Sequence, residues 1–154
     1  MSDTAEARGL VFRGLGKIYE VLAPWGYTLM RFSAGAVVVY HGYAKLFTGF
    51  APVVAKNILT PLGFPFPIVW AYFLGILELF GGAALAVGLL TRPIALLFVI
   101  ELAIVTYWHS ANGYFFNNPR GGWEFPLLLM LQYLGMLLAG GGRHSIDRML
   151  GREF

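Results

Sequence analysis

Four apolar stretches alternate with short polar ones along this chain, at residues 25–47, 68–90, 93–109 and 123–139. Each has about the length a helix needs to cross a hydrocarbon core of roughly 30 Å. The pattern predicts an all-α protein, an integral membrane four-helix bundle. Residues 1–24 form an amphipathic N-terminal segment, 25–140 the four-helix transmembrane domain, and 141–154 a cytoplasmic interfacial tail. In the first segment Leu10, Val11, Leu15, Ile18 and Leu22 share roughly one helical face, with Arg13, Lys17 and Glu20 elsewhere. Such a segment either lies flat among lipid headgroups or packs on the end of the bundle.

Pro24 is placed to start the first span. Residues 48–67 form a loop rich in Pro and Gly, whose VVAKNIL is the candidate for a short interfacial helix. Thr91-Arg92-Pro93 reads as a tight turn, with Pro93 suited to the first turn of the next helix. Residues 110–122 are a loop with a Gly-aromatic centre. Gly140-Gly141-Gly142 ends the fourth span, and Ser145 is a candidate N-cap for a short tail helix.

Polar residues interrupt these stretches. Glu78 sits in the middle of the second, shortly before Gly81 and Gly82. A charge at mid-depth costs roughly 2.5–3.5 kcal/mol on insertion scales, so it is expected to face protein and find a partner. The two glycines suggest close approach of a neighbouring helix. Glu101 and Gln132 lie near the middle of the third and fourth spans.

Basic residues in the short flanks set the expected orientation. Arg8, Arg13, Lys17, Arg92, Arg143, Arg148 and Arg152 fall on one side, and Lys45, Lys56 and Arg120 on the other. The excess places both termini in the cytoplasm. That topology sorts the polar residues into two layers. The outer one holds His41, Lys45, His109 and Glu124; the middle one holds Arg31, Glu78, Glu101 and Gln132. Arg31, His41 and Lys45 share a stripe of the first span, expected to meet the carboxylates. Glu78 then becomes the floor of an outward-facing pocket, ion-paired with Arg31. Each residue also has a structural reading: an ion pair for Arg31, an interfacial position for Lys45 and His109, a helix-start carboxylate for Glu124, and helix-to-helix hydrogen bonding for Gln132.

Composition supports the membrane reading. Of 154 residues, 58% are hydrophobic and 12% charged, against about a quarter charged in soluble domains. The net charge of +3 is explained by topology and does not call for nucleic acid. There is no cysteine, which removes disulfides, thiolate nucleophiles and Cys metal sites. The acidic start at Asp3 and Glu6 leads us to expect no cleavable signal peptide. No haem, flavin or metal motif is visible. His41, His109 and Glu124 form only a weak two-His, one-carboxylate candidate.

Several segments together resemble the DoxX family of small bacterial membrane proteins. They are LMRFSAGAVVVYHGYAKLF (29–47), AYFLGILELFGGAALAVGLLTRP (71–93), HSANGYFF (109–116), GGWEFPLLL (121–129) and GGGRHSIDRML (140–150). The resemblance covers most of the chain beyond Pro24. It implies a multi-pass four-helix protein of the bacterial cytoplasmic (inner) membrane. Some relatives are subunits of thiosulfate:quinone oxidoreductase, and others belong with membrane complexes handling oxidative stress and sulfur metabolism. Carried over by position, the pattern matches Arg31, His41, Gly42, Lys45, Glu78, Gly81, Gly82, Arg92, Asn112, Gly113, Glu124 and Asp147. Glu101 and the long N-terminal segment depart from it. Without cysteine, no persulfide can form on this chain.

Three functions follow as expectations. The first is a membrane subunit of a redox-associated complex. Arg31, His41, Lys45, Glu78, Glu101, His109 and Glu124 would line a pocket for a quinone headgroup or a small oxyanion such as thiosulfate. Any catalysis would belong to a quinone-linked oxidoreductase rather than to this chain alone. The second is a non-catalytic scaffold or accessory subunit. The third is a small-solute or proton pathway, weakened by the lack of an inverted repeat. The expected partners are membrane lipid, other protein subunits and, in a homo-oligomer, further copies of the chain.

Overall fold

The structure, a computed structural model, describes residues 11–115, 117, 119 and 121–152. Residues 1–10, with Leu10 and Arg8, lie outside the described residues, as do Phe116, Asn118, Arg120, Glu153 and Phe154, and the side chain of Arg13.

Every regular element among the described residues is helical. The α-helices are α1 (Gly16–Phe47), α2 (Phe50–Val54), α3 (Pro67–Ile76), α4 (Gly82–Val87), α5 (Thr91–His109), α6 (Glu124–Ala139) and α7 (Ile146–Met149). A π-helical turn at Ala55–Leu59 extends α2, and another at Leu77–Gly81 joins α3 to α4. Two helices, Pro67–Val87 and Thr91–Asn112, are long and apolar enough to cross a membrane; Glu124–Ala139 is apolar but shorter. Large apolar side chains such as Leu29, Phe32, Val69, Ile76, Phe80 and Leu138 are exposed on the helices. A surface of this kind suits lipid better than water.

The first helix begins earlier than its hydrophobicity suggests. Residues 16–24 continue α1 instead of forming a separate segment, and Pro24 lies inside the helix. An interior proline removes one backbone hydrogen bond, a defect that membrane helices absorb locally. The carbonyl that loses its usual donor is that of Glu20; one turn on, the Thr28 hydroxyl back-bonds to the Pro24 carbonyl at 3.3 Å. The apolar face of this extension does not pack on the bundle end: Ile18 and Leu22 are exposed.

A seam of small residues sets the register of α1 against α3 and α4. Gly35 lies against Gly82 and Ala86, and Gly42 against Gly75 and Leu79. Increasing numbers on one side meet decreasing numbers on the other, so the helices are antiparallel. A Cβ on Gly42 would overlap the backbone nitrogen of Leu79 and come within 2.7 Å of the Gly75 carbonyl oxygen. Gly81 turns the other way, toward Ile94 and Phe98 of α5. α5 and α6 pack against each other, with the rings of Phe98 and Tyr133 stacked at 4.8 Å. These two side chains are fully buried with Leu85, beside Ala34, Val38 and Met136. Residues 48–67 are more ordered than a simple loop. Ala51, Val54, Ala55 and Leu59 form a second small core with Ala71 and cover the end of α1.

The tail is docked into the helices. Ser145 caps α7, its hydroxyl accepting from the Arg148 N–H at 3.2 Å. The Asp147 carboxylate accepts the N–H groups of Leu90 at 2.7 Å and Thr91 at 2.9 Å. It thus satisfies orphan donors at the start of α5, where a negative charge also suits the helix dipole. The chain therefore turns at Gly88–Leu90, and the predicted turn residue Thr91 opens α5. Gly88 and Leu90 are both left-handed there, at φ 76° and 51°.

Because the atoms nearest an added methyl at position 42 are backbone, Gly42→Ala is expected to destabilise the protein by about 1–3 kcal/mol. Gly135→Ala, with nothing within 4 Å, should be neutral or gain up to about 1 kcal/mol from helix propensity. Thermal unfolding in mild detergent checks both. Equal responses at the two sites would contradict the seam.

Candidate functional site

The π turn at Leu77–Gly81 carries Glu78, and such turns often mark functional positions because they re-aim side chains. Glu78 points inward while Phe80 is exposed. Lys45, in the last turn of α1, places Nζ 2.5 Å from Glu78 Oε2. The two side chains are only 8% and 9% exposed. Helical side chains lean toward the N-terminus of their own helix. In an antiparallel pair Lys45 and Glu78 lean toward each other, close to Gly75, whose added Cβ would touch Lys45 Cβ at 3.1 Å.

Glu101, from the middle of α5, is 8% exposed. Its carboxyl group lies within electrostatic reach of Glu78 and Lys45. Its Oε2 atom is buried and has no hydrogen-bond partner. Tyr133 closes the site from α6; it stands near both carboxyls, and its hydroxyl donates to the Ala34 carbonyl at 2.8 Å. His41, four residues before Lys45, is exposed and within electrostatic reach of Lys45 and Glu78. One ammonium and two carboxyl groups thus share an apolar interior, with an imidazole at the edge.

This arrangement corrects the expected pairing of Arg31 with Glu78 or Glu101. Arg31 is 1% exposed. It donates to carbonyl oxygens of Ala86 at 3.4 Å, His144 at 2.8 Å and Gly141. The glycine register explains the difference. Arg31 lies opposite Ala86, eight residues beyond Glu78, or about 12 Å along a helix. Depth reckoned from the span ends had put the two at one level. The division into two layers fails with it, since Lys45 and Glu78 were assigned to different ones.

The other expected residues are scattered. His109 is half-buried, with Nδ1 3.3 Å from the Asn112 amide nitrogen, and it lies against Gly121. Glu124 opens α6, its backbone N–H donating to the Tyr114 carbonyl at 3.1 Å. Gln132 lines a groove of about 290 Å³ with Tyr27, Met30 and Leu131. A larger groove of about 530 Å³ runs along α1 past Leu22, Trp25, Leu29 and Phe32. Both grooves are bordered mainly by apolar side chains, and neither borders Lys45, Glu78 or Glu101. The carboxyl cluster is a packed polar core rather than the wall of an open pocket. Among the described residues no three His, Asp or Glu side chains are placed to hold a metal ion.

Two participants escaped the sequence reading. Tyr133 looked like one more aromatic in an apolar span; its hydroxyl near mid-helix was the available signal. Asp147 matched the family pattern without a role. Asking what caps the start of the third span would have found it.

Removing one member of a buried ion pair leaves the other uncompensated, at a cost of about 3–5 kcal/mol. Lys45→Met should therefore unfold in detergent at clearly lower temperature than the wild type. The double variant Lys45→Met/Glu78→Gln should recover much of the loss. A double variant that merely adds the two single losses would contradict the pairing.

Comparison with known proteins finds relatives by sequence. The chain is 28% identical over 131 residues to an uncharacterized protein of Haemophilus influenzae (strain Rd), covering 83% of this chain and 92% of the relative. It is 30% identical over 135 residues to the "putative oxidoreductase CatD" of Bacillus subtilis (strain 168), covering 86% and 90%. No solved structure matches it. The DoxX family model matches residues 26–111, more than half of the chain and the stretch that contains Arg31, His41, Lys45, Glu78 and Glu101. This protein belongs to the DoxX family.

Proposed function

We propose that this protein is a membrane subunit of a redox-associated complex, with a quinone headgroup received at the edge of the Lys45–Glu78–Glu101 cluster. The carrying observation is the cluster itself. A buried ammonium, two buried carboxyls and an unpartnered carboxyl oxygen exceed what helix packing requires, and ionisable groups at membrane depth are functional candidates by default. The similarity to a relative named as an oxidoreductase supports the same class.

The residues suit a quinone better than an oxyanion. A quinone offers carbonyl oxygens, and on reduction it exchanges protons as well as electrons. Lys45 and His41 supply N–H donors for such oxygens. Thiosulfate, a dianion, would face two carboxyls against one ammonium, and the buried guanidinium of Arg31 is committed to backbone carbonyls. Electrons would come from a partner subunit, since no side chain of this cysteine-free chain forms a redox couple suited to the task.

Four helices would cross the bacterial cytoplasmic membrane: α1, the α3–α4 pair, α5 and α6, with both termini cytoplasmic. Pairing Lys45 with Glu78 strengthens that orientation. With its charge compensated, Lys45 drops out of the outer-side count, and the basic excess on the cytoplasmic side grows. At 32 residues, α1 is about 48 Å long and overhangs a core of roughly 30 Å. Its exposed Ile18, Tyr19 and Leu22 would then stand at the cytoplasmic surface. That overhang favours the accessory-subunit reading, in which the protein docks a larger partner and the cluster is only structural.

Purified protein titrated with a short-chain ubiquinone, followed by tryptophan fluorescence, separates the two. Saturable binding is expected. It should weaken about tenfold in His41→Ala, the equivalent of one lost hydrogen bond. Absence of saturable binding, or an unaltered affinity in both His41→Ala and Lys45→Met, would favour the accessory subunit.

A further inference from the structure

We infer that Glu78 and Glu101 together form a proton-binding site that holds one exchangeable proton against the charge of Lys45. The inference stands whether or not a quinone binds. It rests on counting charge in the site. The groups facing Glu101 are Glu78 from the π turn, Lys45 with His41 beyond it from α1, and Tyr133 from α6. His41 is exposed and can exchange its charge with the surface. The Tyr133 hydroxyl donates to Ala34. That leaves one ammonium and two carboxyls in the interior.

One carboxylate is matched by Lys45, whose Nζ touches Glu78 Oε2. A second carboxylate in the same apolar surroundings has no cation to offset it, and a buried group so placed neutralises instead. Glu78 and Glu101 are both buried and have one ammonium between them, that of Lys45, which is already paired with Glu78; holding Glu101 neutral there takes one proton. Two neighbouring buried carboxyls with a single cation do not both carry charge. The Glu101 Oε2 atom, buried and without a partner, is the remaining face of the site. There a further proton acceptor or donor can be met.

The count makes a separate prediction for each substitution. Exposed carboxyls are ionised at neutral pH. The infrared carboxylic-acid C=O stretch of purified, quinone-free protein, recognised by its shift in D2O, therefore reports buried acid. The wild type should show one such group. Glu101→Gln should abolish it. Glu78→Gln should abolish it too, because Glu101 then becomes the ionised partner of Lys45. Lys45→Met should double it, since neither carboxyl then has a cation. A wild type without the band overturns the inference, as does a band that survives Glu101→Gln or Glu78→Gln unchanged. Treating the wild type with dicyclohexylcarbodiimide needs no variant to fold. This reagent enters from the apolar phase and modifies protonated carboxyls. Peptide mapping should find the adduct on Glu101 or Glu78, and absence of an adduct from both contradicts the site.

Discussion

A buried charge in an apolar interior must be matched, and the Lys45–Glu78 contact is how this chain meets that requirement. Lys45 and Glu78 lie on helices that touch along glycines. Gly35 and Gly42 meet Gly82 and Gly75, which brings the backbones close enough for side chains leaning from opposite ends to join. A wider spacing would leave Glu78 without its ammonium. The π turn at Leu77–Gly81 lies between the two glycine contacts and turns the carboxylate inward. Glu101 and Tyr133 then complete the core from α5 and α6. The polar site therefore depends on the glycine seam, and its members on one ion pair.

The far end of the molecule uses charge differently. Arg31 spends its donors on the carbonyls of Ala86, Gly141 and His144, and Asp147 accepts the amides of Leu90 and Thr91. These contacts satisfy the backbone where α4 stops and α5 starts. They also fasten the tail: Gly88 and Gly141 have no room for a side chain beside Ser145. One end thus uses ionic groups to close backbone ends. The middle keeps them against each other, where they remain available for chemistry.

Much of this was legible in the sequence, and the failures share a cause. The apolar runs gave the helices, Ser145 gave the cap of the tail helix, and the charge of Glu78 pointed to the polar core. Hydrophobic runs, however, report length and depth but not register. Register here is set by the glycines at 35, 42, 75 and 82, of which only Gly82, as a site of close helix approach, and Gly42, by family pattern, were singled out, without their mates. Arg31 was consequently matched to Glu78 by depth, although the seam places it opposite Ala86. Pro24 was read as a helix start because proline prefers the first turn, yet a long membrane helix tolerates it inside. Tyr133 and Asp147 act through hydrogen bonds to distant backbone, which no local pattern announces.

The most direct test of the central claim is a distance measured in a bilayer. The chain has three lysines, Lys17, Lys45 and Lys56. Solid-state NMR on protein labelled with 15N at lysine Nζ and 13C at the glutamate carboxyl can therefore isolate one contact, using Lys45→Arg to assign it. The account predicts a strong dipolar coupling between Lys45 Nζ and the Glu78 carboxyl, from a separation within about 4 Å, lost in Lys45→Arg and replaced in Glu78→Gln by a coupling to Glu101. A Glu78 carboxyl that couples to no lysine nitrogen would contradict it.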